Sequence, residues 1–197
     1  MRVSAVIVAG GRSSRMGREK VLERVGGRTI LERIVSLLRE QADIVVINAN
    51  GNEERFAETG LPVIRDIRPD VGTPLAGLHT ALSFAASEGF DAVLTVPSDS
   101  PFLPTDLVSR LAGEGRSAAI AASSGQAHYL TGLWSPALLQ LAEQVMAEPR
   151  PPRVQDWAKR CQAAIVEWSA VPYDPLLNVN TPEELAEANR IAAEFSL

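Results

Sequence analysis

The sequence contains little cysteine and little histidine, and this scarcity excludes several kinds of site. Its 197 residues include one cysteine, Cys161, and two histidines. A single thiol allows no disulfide within the chain, which is typical of proteins from a reducing compartment. One cysteine and two histidines are also too few for an ordinary structural zinc site. The sequence has no Gly-x-Ser-x-Gly segment either, so the nucleophile elbow of an α/β-hydrolase is missing.

A basic excess and long apolar runs are missing as well. The formal net charge is −5, which argues against a general nucleic-acid-binding protein, so we expect no nucleic-acid partner. No apolar stretch approaches the length of a membrane span, so we expect no membrane association. The first residues predict a strand rather than a secretion signal. Together these features predict a cytoplasmic protein.

The sequence alternates the patterns of buried strands and helices, which predicts an α/β fold. Up to about residue 112 this β-α unit occurs four times, and such alternation is typical of a mostly parallel, doubly wound sheet. The strands are expected at 3–8, 44–47, 61–64 and 92–96, and the helices at 29–40, 53–58, 75–87 and 104–111. The second half is less regular, with strands expected at 118–122, 129–134 and 163–168 and helices at 137–147, 154–160 and 181–195.

At the end of the first predicted strand, an apolar run meets two glycines and a basic loop. The strand, 3–8, is followed by Gly10 and Gly11, and three arginines and a lysine then occur between Arg12 and Lys20. Glycine allows a sharp turn and close approach of a ligand to backbone N–H groups. Ligands of open α/β sheets bind outside the carboxyl ends of strands. The loop therefore predicts a polyphosphate site, against the alternative of a glycine-rich turn with solvated arginines.

This loop matches neither of the two common phosphate-binding motifs. A P-loop requires Gly-Lys-Ser/Thr at its end, whereas Gly17 is followed by Arg18 and Glu19. The dinucleotide fingerprint requires Gly-x-Gly-x-x-Gly, whereas Gly10 and Gly11 are adjacent. If this loop binds a polyphosphate, it therefore belongs to a class other than these two.

One aspartate follows a predicted strand where a metal could bind. Asp99 comes just after the strand 92–96 and lies between Pro97 and Pro101, which stiffen the backbone on both sides. Mg²⁺ needs only one or two protein carboxylates, because waters and substrate phosphates complete its coordination. Asp99 is therefore a candidate Mg²⁺ ligand; the alternative is a turn or helix-capping aspartate.

Further polar residues follow other predicted strands. Asn48 and Asp66 come after the second and third strands, where acceptors could bind the N–H donors of a purine. Asn178 and Asn180 are two residues apart, so in an extended segment both amides face one way. The alternative for each of these residues is a turn or a cap. The segment 72–77 could begin a helix whose N-terminus approaches a phosphate.

Taken together, these segments resemble the molybdenum cofactor guanylyltransferase family, and the likeness spans nearly the whole chain. The first loop resembles that of nucleotidyltransferases in general, and the combination with the later segments is the more specific signal. The segments are Val8-Ala-Gly-Gly-Arg-Ser-Ser-Arg-Met-Gly17 with Lys20, Val46-Ile-Asn-Ala-Asn50, Ile64-Arg-Asp66, Thr73-Pro-Leu-Ala-Gly-Leu78, Asp99-Ser-Pro-Phe-Leu-Pro104, Gly132-Leu-Trp134 and Asn178-Val-Asn-Thr-Pro-Glu-Glu-Leu185.

The resemblance implies a fold, a set of contacts and a metal ion. It implies a single nucleotidyltransferase domain over 1–197 with a three-layer, Rossmann-like architecture, a nucleotide-binding half at 1–112 and an acceptor half at 113–197 that contains an antiparallel strand. It implies Mg²⁺ on Asp99, acceptor contacts at Asn178 and Asn180, and catalytic roles for Arg15, Lys20 and Asp99. The implied nucleotide contacts are Val8, Ala9, Gly10, Gly11, Lys20, Asn48, Asp66, Gly77 and Asp99.

The sequence departs from the family's pattern in two places. The family often has Cys-Asp-Thr where this chain has Ser98-Asp99-Ser100, a change that keeps a hydroxyl at the third position. It also often has His-Pro where this chain has His128-Tyr129, on the side expected to bind the acceptor.

The implied reaction joins the terminal phosphate of molybdopterin to the α-phosphorus of GTP and releases pyrophosphate. A phosphate monoester is already mostly anionic near neutral pH, so it needs little help from a general base. Arg15 can bind phosphate in a bidentate way, while Lys20 acts as a point charge. Transient partners that deliver or insert the cofactor are a further expectation. Two alternatives stay open: a cytidylyltransferase or other small nucleotidyltransferase, and a non-catalytic nucleotide-binding module.

Overall fold

The computed structural model describes residues 1–9, 20–150 and 152–197 of the chain. Three predicted site residues, Gly10, Gly11 and Arg15, lie outside the described residues, and only the backbone of Lys20 is described.

Strands and helices alternate along the described chain much as predicted. The strands and α-helices follow one another as β1 (Val3–Val8), β2 (Arg24–Val25), β3 (Arg28–Thr29), α1 (Ile30–Arg39), β4 (Ile44–Asn48), β5 (Val63–Ile64), α2 (Pro74–Ser87), β6 (Ala92–Pro97), α3 (Leu107–Gly113), β7 (Ala118–Ser123), β8 (Gln126–Trp134), α4 (Leu139–Met146), α5 (Val154–Arg160), β9 (Ala164–Trp168) and α6 (Pro182–Glu194). Short 3₁₀ helices cover Lys20–Leu22, Glu54–Thr59 and Pro136–Leu138.

Seven of these strands form one mixed sheet in the order β5-β4-β1-β6-β8-β7-β9. The pairs β1·β4, β1·β6, β4·β5 and β7·β9 are parallel, whereas β8 is antiparallel to both β6 and β7. The prediction of a mostly parallel sheet with an antiparallel strand in the second half is therefore confirmed. Strands from both halves of the chain share this sheet, and β6 is joined to β8 at its centre.

Helices cover both faces of the sheet, which gives the predicted three layers. One core lies between the sheet and α1, α3 and α6, and includes Ile7, Ile34 and Ile191. The other lies between the sheet and α2, α4 and α5, and includes Val6 and Trp157. Alternate residues of β1 enter opposite cores because side chains alternate across a strand. No helix in the described parts of the chain has the length and apolar character to cross a bilayer.

Two helices begin with capping boxes, whose Thr-x-x-Glu pattern is visible in the sequence at Thr29 to Glu32 and at Thr181 to Glu184. The Thr29 hydroxyl accepts from the Glu32 N–H at 3.1 Å, and the Glu32 carboxylate accepts from the Thr29 N–H at 2.6 Å. The same reciprocal pair joins Thr181 and Glu184 at the start of α6, where Pro182 occupies the first turn. Such boxes satisfy backbone donors that the first helical turn leaves unpaired.

Some predicted element boundaries were wrong, for local reasons. The helix expected at 104–111 begins only at Leu107, because the Gln41 side chain bonds the preceding segment: it donates to the Pro104 carbonyl at 3.0 Å and accepts from the Val108 N–H at 3.1 Å. The helix expected at 53–58 is a 3₁₀ helix instead, Glu54–Thr59.

The β2–β3 hairpin was not predicted. Its two turn residues, Gly26 and Gly27, have φ values of 57° and 83°, which glycine adopts without a steric penalty. Two glycines between short extended segments are a known hairpin signal, so the sequence did contain the information. The segment is too short for a periodicity to show it.

Candidate active site

The carboxyl ends of four parallel strands lie side by side at one edge of the sheet. In the strand register Val8 is opposite both Asn48 and Pro97, and Asn48 is opposite Ile64. Residues that directly follow these positions therefore share one edge. Ala9 is held there by a hydrogen bond from its N–H to the Asn48 carbonyl at 2.8 Å.

Asp66 is held at this edge by two amide side chains. Its Oδ1 accepts from Asn48 Nδ2 at 2.8 Å, and its Oδ2 accepts from Asn50 Nδ2 at 2.7 Å. The Asp66 N–H in turn donates to Asn50 Oδ1 at 3.0 Å. The carboxylate is half-buried, so part of it faces solvent at the edge. An oriented carboxylate of this kind can accept hydrogen bonds from a ligand.

Asn48 lies behind Asp66 and is fully buried. Its side chain has 0 % exposure, and Nδ2 also approaches the Ile64 carbonyl at 3.4 Å. Its Oδ1 has no hydrogen-bond partner among the described residues. The predicted contact between Asn48 and a nucleotide stays a prediction, and the structure shows Asn48 in contact with Asp66.

Gly77 allows α2 to approach the sheet at the same point. A Cβ atom at Gly77 would lie 2.5 Å from Asn48 Oδ1 and 2.8 Å from Val8 Cγ1. Only a residue without a side chain fits this contact. The structure therefore places Gly77 against the two strand ends as a packing residue. Its predicted contact with a nucleotide stays a prediction.

Asp99 lies at the end of β6, next to the segment that contains Asn178. The Val179 N–H donates to the Asp99 carbonyl at 2.8 Å, and the Ser100 hydroxyl donates to Asn178 Oδ1 at 2.7 Å. Ser100 is buried and Asp99 is half-buried. The structure thus brings together Asp99 and Asn178, which the sequence analysis selected separately.

Asn180 is farther along the same segment and is exposed. Its N–H donates to Glu184 Oε2 at 2.5 Å, next to the capping box of α6. Val179, between the two asparagines, is buried in the core beneath α6. Burial alternates along this segment: Val179 is buried, Asn178 is half-buried and Asn180 is exposed. This alternation agrees with two asparagine side chains on the side opposite to that of Val179.

The start of β8 lies at the same edge of the sheet, because β8 is antiparallel to β6. The pairing of β7 with β8 shifts between Ile120 and Ala121, so the partner residue moves from Gly132 to His128. His128 Nε2 lies 3.0 Å from the Ser123 hydroxyl, and burial lowers the pKa of the imidazole. The ring is therefore mainly neutral near pH 7.

The single cysteine, Cys161, is not suited to act as a nucleophile. The Cys161 thiol has its pKa raised to about 12 by burial. Since the thiolate is the reactive form, this cysteine is inert near neutral pH.

The donor atoms at the edge are compatible with Mg²⁺ bound partly by substrate. No cluster of three or more histidine, cysteine, aspartate or glutamate side chains that could hold a metal occurs among residues 1–9, 20–150 and 152–197. Asp99 offers a carboxylate, and the neighbouring residue Ser100 and the adjoining segment with Asn178 add a hydroxyl and an amide oxygen to this part of the edge. Hard oxygen donors in small number suit Mg²⁺ when phosphate oxygens and water supply the rest.

Asn50 contacts Asp66 at this edge and was not among the predicted site residues. The available signal was its spacing, since Asn48-Ala-Asn50 has the same Asn-x-Asn pattern as Asn178-Val-Asn180.

Solved structures share this architecture. A molybdopterin-guanine dinucleotide biosynthesis protein A from Archaeoglobus fulgidus superposes with a TM-score of 0.70 at 18% identity, covering 97% of this chain and 99% of that one. A nucleotidyl transferase from Methanothermobacter superposes with a TM-score of 0.75 at 21% identity, covering 98% of this chain and 99% of that one. At these identities the likeness concerns the fold.

Curated sequences are considerably more similar. A molybdenum cofactor guanylyltransferase of Rhodopseudomonas palustris (strain BisB5) is 42% identical, over 98% of this chain and 95% of its own length. One from Nitrobacter hamburgensis is 40% identical, over 95% of this chain and 93% of its own. The family model described as the MobA-like NTP transferase domain matches residues 5–180. With this edge and these relatives, the chain belongs to the MobA-like NTP transferases and, among them, to the molybdenum cofactor guanylyltransferase family.

Proposed function

We propose that this protein transfers GMP from GTP to the terminal phosphate of molybdopterin and releases pyrophosphate. Relatives with this activity in their names align over almost the full length of the chain at about 40% identity. The alignments cover 93% and 95% of the length of those relatives, and the proposal carries their named reaction over to this chain.

The observation that carries the proposal is a pair of hydrogen bonds between the end of β6 and the segment before α6. The Asp99 carbonyl accepts from the Val179 N–H, and the Ser100 hydroxyl donates to Asn178 Oδ1, although the bonded residues are 78 or more positions apart in the chain. Asp99 is the proposed metal ligand on the donor nucleotide, and Asn178 is a proposed contact of the acceptor. Because these two bonds join neighbouring residues of the two segments, Asp99 and Asn178 lie close together, which supports the proposal that the two substrates react at one place.

The chemistry requires little from a general base. An oxygen of the acceptor's terminal phosphate attacks the α-phosphorus, a new P–O bond forms, and the bond from the α-phosphorus to the bridging oxygen breaks as pyrophosphate leaves. The attacking phosphate is already anionic near pH 7. The main barrier is the approach of two anions, so catalysis depends on in-line positioning and on neutralising charge.

Three residues are proposed for that neutralisation. Arg15 and Lys20 would bind the triphosphate, and Asp99 would hold Mg²⁺. When bound, Mg²⁺ would offset charge on the phosphate oxygens. The half-buried position of Asp99 at a strand end, with oxygen donors beside it, suits this role.

The nucleoside would lie over the ends of β1, β4 and β5, beside Asp66. The side-by-side strand ends and the oriented Asp66 carboxylate support this position. Val8, Ala9, Gly10 and Gly11 are proposed as backbone contacts.

The test follows the α-phosphate. Purified protein is incubated with molybdopterin, Mg²⁺ and GTP labelled at either the α- or the γ-phosphate, and the pterin product is isolated. The proposal predicts that the α-label enters the product and that the γ-label leaves as pyrophosphate. Label in neither product, with GTP bound, would indicate a non-catalytic nucleotide-binding module. A γ-label on the pterin would indicate a kinase-type transfer and contradict the proposal.

A further inference from the structure

Among the residues that the structure describes, the side chains that hold the Asp66 carboxylate are neutral amides. Its two carboxylate oxygens accept from Asn48 and Asn50 at 2.8 and 2.7 Å. The neighbouring arginines are bound elsewhere: Arg65 contacts Glu53 at 2.6 Å, and Arg68 contacts Asp70 at 2.9 and 3.0 Å. Within the described residues, no salt bridge involves Asp66.

This distinction matters for ligand binding. An ionised carboxylate has about four acceptor positions, and a bidentate arginine would occupy two of them and cancel the charge. Two single amide donors fix the plane of the group and do not themselves neutralise a carboxylate, and each uses only one acceptor position. A carboxylate held this way is suited to accept from a pair of adjacent N–H or O–H donors.

Asn50 contributes more to this orientation than Asn48, because it makes two bonds to the same residue. It donates to Asp66 Oδ2 and accepts from the Asp66 N–H at 3.0 Å, so side chain and backbone are held together. Asn50 is exposed, whereas Asn48 is buried. An exposed amide held on both sides indicates a role at the edge rather than in the core.

We infer that Asn50 is a positioning residue that orients Asp66 to accept hydrogen bonds from the nucleoside of the donor nucleotide. This inference rests on the proposed function. Two sources offer the required pair of adjacent donors: the N1–H and 2-amino group of guanine, and the two hydroxyls of the ribose. Asn50 then helps to set affinity for the nucleotide without touching the reacting phosphates.

The main experiment measures equilibrium binding of GTP with Mg²⁺ and without acceptor, so that it does not depend on turnover. Asn50→Ala is expected to weaken binding on the order of 10- to 100-fold, the usual effect of disturbing hydrogen bonds to a charged group. The matched control is Asn52→Ala. Asn52 is an exposed asparagine of the same loop whose Oδ1 accepts from the Glu54 N–H at 2.9 Å, and its variant is expected to bind within about 2-fold of wild type.

A variant of the same shape tests whether Asn50 acts through its hydrogen bonds to Asp66 or only by filling space. Asn50→Asp has nearly the same shape but loses the donor and places a second negative charge beside Asp66. Binding at least as weak as that of Asn50→Ala supports the inference, because like charges side by side oppose each other. Binding close to wild type would mean that only the shape of Asn50 matters, which would overturn it.

Two analogues identify the source of the donors. Inosine triphosphate lacks the 2-amino group, and 2′-deoxyguanosine triphosphate lacks one hydroxyl. Wild type is expected to bind one of them more weakly than GTP, and Asn50→Ala is expected to discriminate less against that same analogue. Equal discrimination in wild type and variant would overturn the inference.

The proposed function can fail separately. If wild type binds another nucleoside triphosphate instead of GTP, the proposed substrate is wrong, and the same variants tested with that nucleotide still decide the role of Asn50. If wild type binds GTP but Asn50→Ala binds it equally well, the inference about Asn50 is wrong and the proposed function stands. If wild type binds no nucleoside triphosphate, both are overturned.

Discussion

Among single residues, Asp99 has the sharpest proposed role. It is held beside Asn178 through Ser100 and Val179, at the point where donor and acceptor would meet. Asp99→Asn keeps the size of the side chain and removes its charge. We expect kcat to fall by at least about 100-fold, as when an electrostatic contact to the reacting groups is removed, with a much smaller change in GTP binding.

Pyrophosphate release at saturating Mg²⁺ checks this prediction. The control is Asp70→Asn, which removes an exposed carboxylate that pairs with Arg68. Full activity of Asp99→Asn in saturating Mg²⁺ would exclude the metal role.

Gly77 tests how closely α2 must pack against the strand ends. Alanine has a higher helix propensity than glycine by about 1 kcal/mol, so on propensity alone Gly77→Ala would stabilise the protein. The new Cβ would lie 2.5 Å from Asn48 Oδ1, however, in a fully buried contact. Overpacking of this kind costs about 1–3 kcal/mol, so we expect net destabilisation together with weaker GTP binding.

Urea unfolding and GTP binding measure the two effects. Gly113→Ala is the matched control, because a Cβ at this helical glycine meets nothing within 4 Å. That variant should be unchanged or slightly more stable. Equal stability of both variants would show that the contact of α2 with Asn48 can relax freely.

At the scale of elements, α6 holds the β2–β3 hairpin that follows Lys20. Asn189 of α6 accepts from the Gly26 N–H and donates to the Arg24 carbonyl, both at 3.1 Å. The buried Arg33 donates to the Val25 carbonyl at 2.6 Å and to the Leu197 carbonyl at 2.7 Å. One helix therefore connects the segment with Asn178 and Asn180 to the hairpin next to the predicted phosphate loop.

The turn of this hairpin gives an element-scale prediction. At Gly26 a Cβ would lie 2.4 Å from Arg33 Nη2 and 2.9 Å from both Ala192 Cβ and the Leu197 carbonyl, whereas at Gly27 it would meet nothing within 4 Å. Both residues have positive φ, so both alanine variants should lose about 1 kcal/mol from backbone strain. Gly26→Ala should lose about 1–3 kcal/mol more through steric overlap.

The free energy of unfolding of the two variants is the measurement. Equal losses would mean that α6 and Arg33 move aside at little cost, so that the hairpin is not held tightly.

The sequence predicted those elements whose pattern extends over many neighbouring residues, and it did not predict features that depend on contacts between distant residues. Periodicity and caps identified most strands and helices, because burial of one face acts over many residues, as in α1 with its Thr29 cap. The hairpin escaped because it has two residues per strand. The late start of α3 depends on Gln41, a side chain more than 60 residues away in sequence, so no local pattern could show it.

The candidate site was predicted as a set of separate positions. Asp66, Asp99 and Asn178 were each found from their place after a strand or before a helix. The bonds between Asn50 and Asp66, and between Ser100 and Asn178, require the three-dimensional register of distant segments. The complete burial of Asn48 could not be predicted from the sequence either, because it depends on how α2 packs against the strand ends.

For the whole molecule, two histidines predict how stability depends on pH. Burial lowers the pKa of His79 and of His128 below the ordinary value of 6.5. The folded state therefore favours the neutral forms, and the unfolded state binds more protons at mildly acidic pH. The stability from these groups is complete above about pH 6.5 and is lost as pH falls below it.

Urea unfolding at pH 7.5 and 5.5 checks this sign. The double variant His79→Gln/His128→Gln should lose less stability over this interval than wild type. Glu32 and Glu148 have pKa values lowered from 4.5, so their contributions change below this interval. An equal loss in wild type and variant would contradict the assignment to the histidines.

The central claim concerns which nucleotide the whole molecule uses. The most direct measurement is pyrophosphate release by the purified protein with Mg²⁺ and molybdopterin, comparing GTP with CTP and ATP at equal concentration. If the protein is a guanylyltransferase, pyrophosphate is released with GTP and little is released with CTP or ATP. Release with CTP instead would contradict the proposed guanylyl transfer and make the chain a cytidylyltransferase on the same fold.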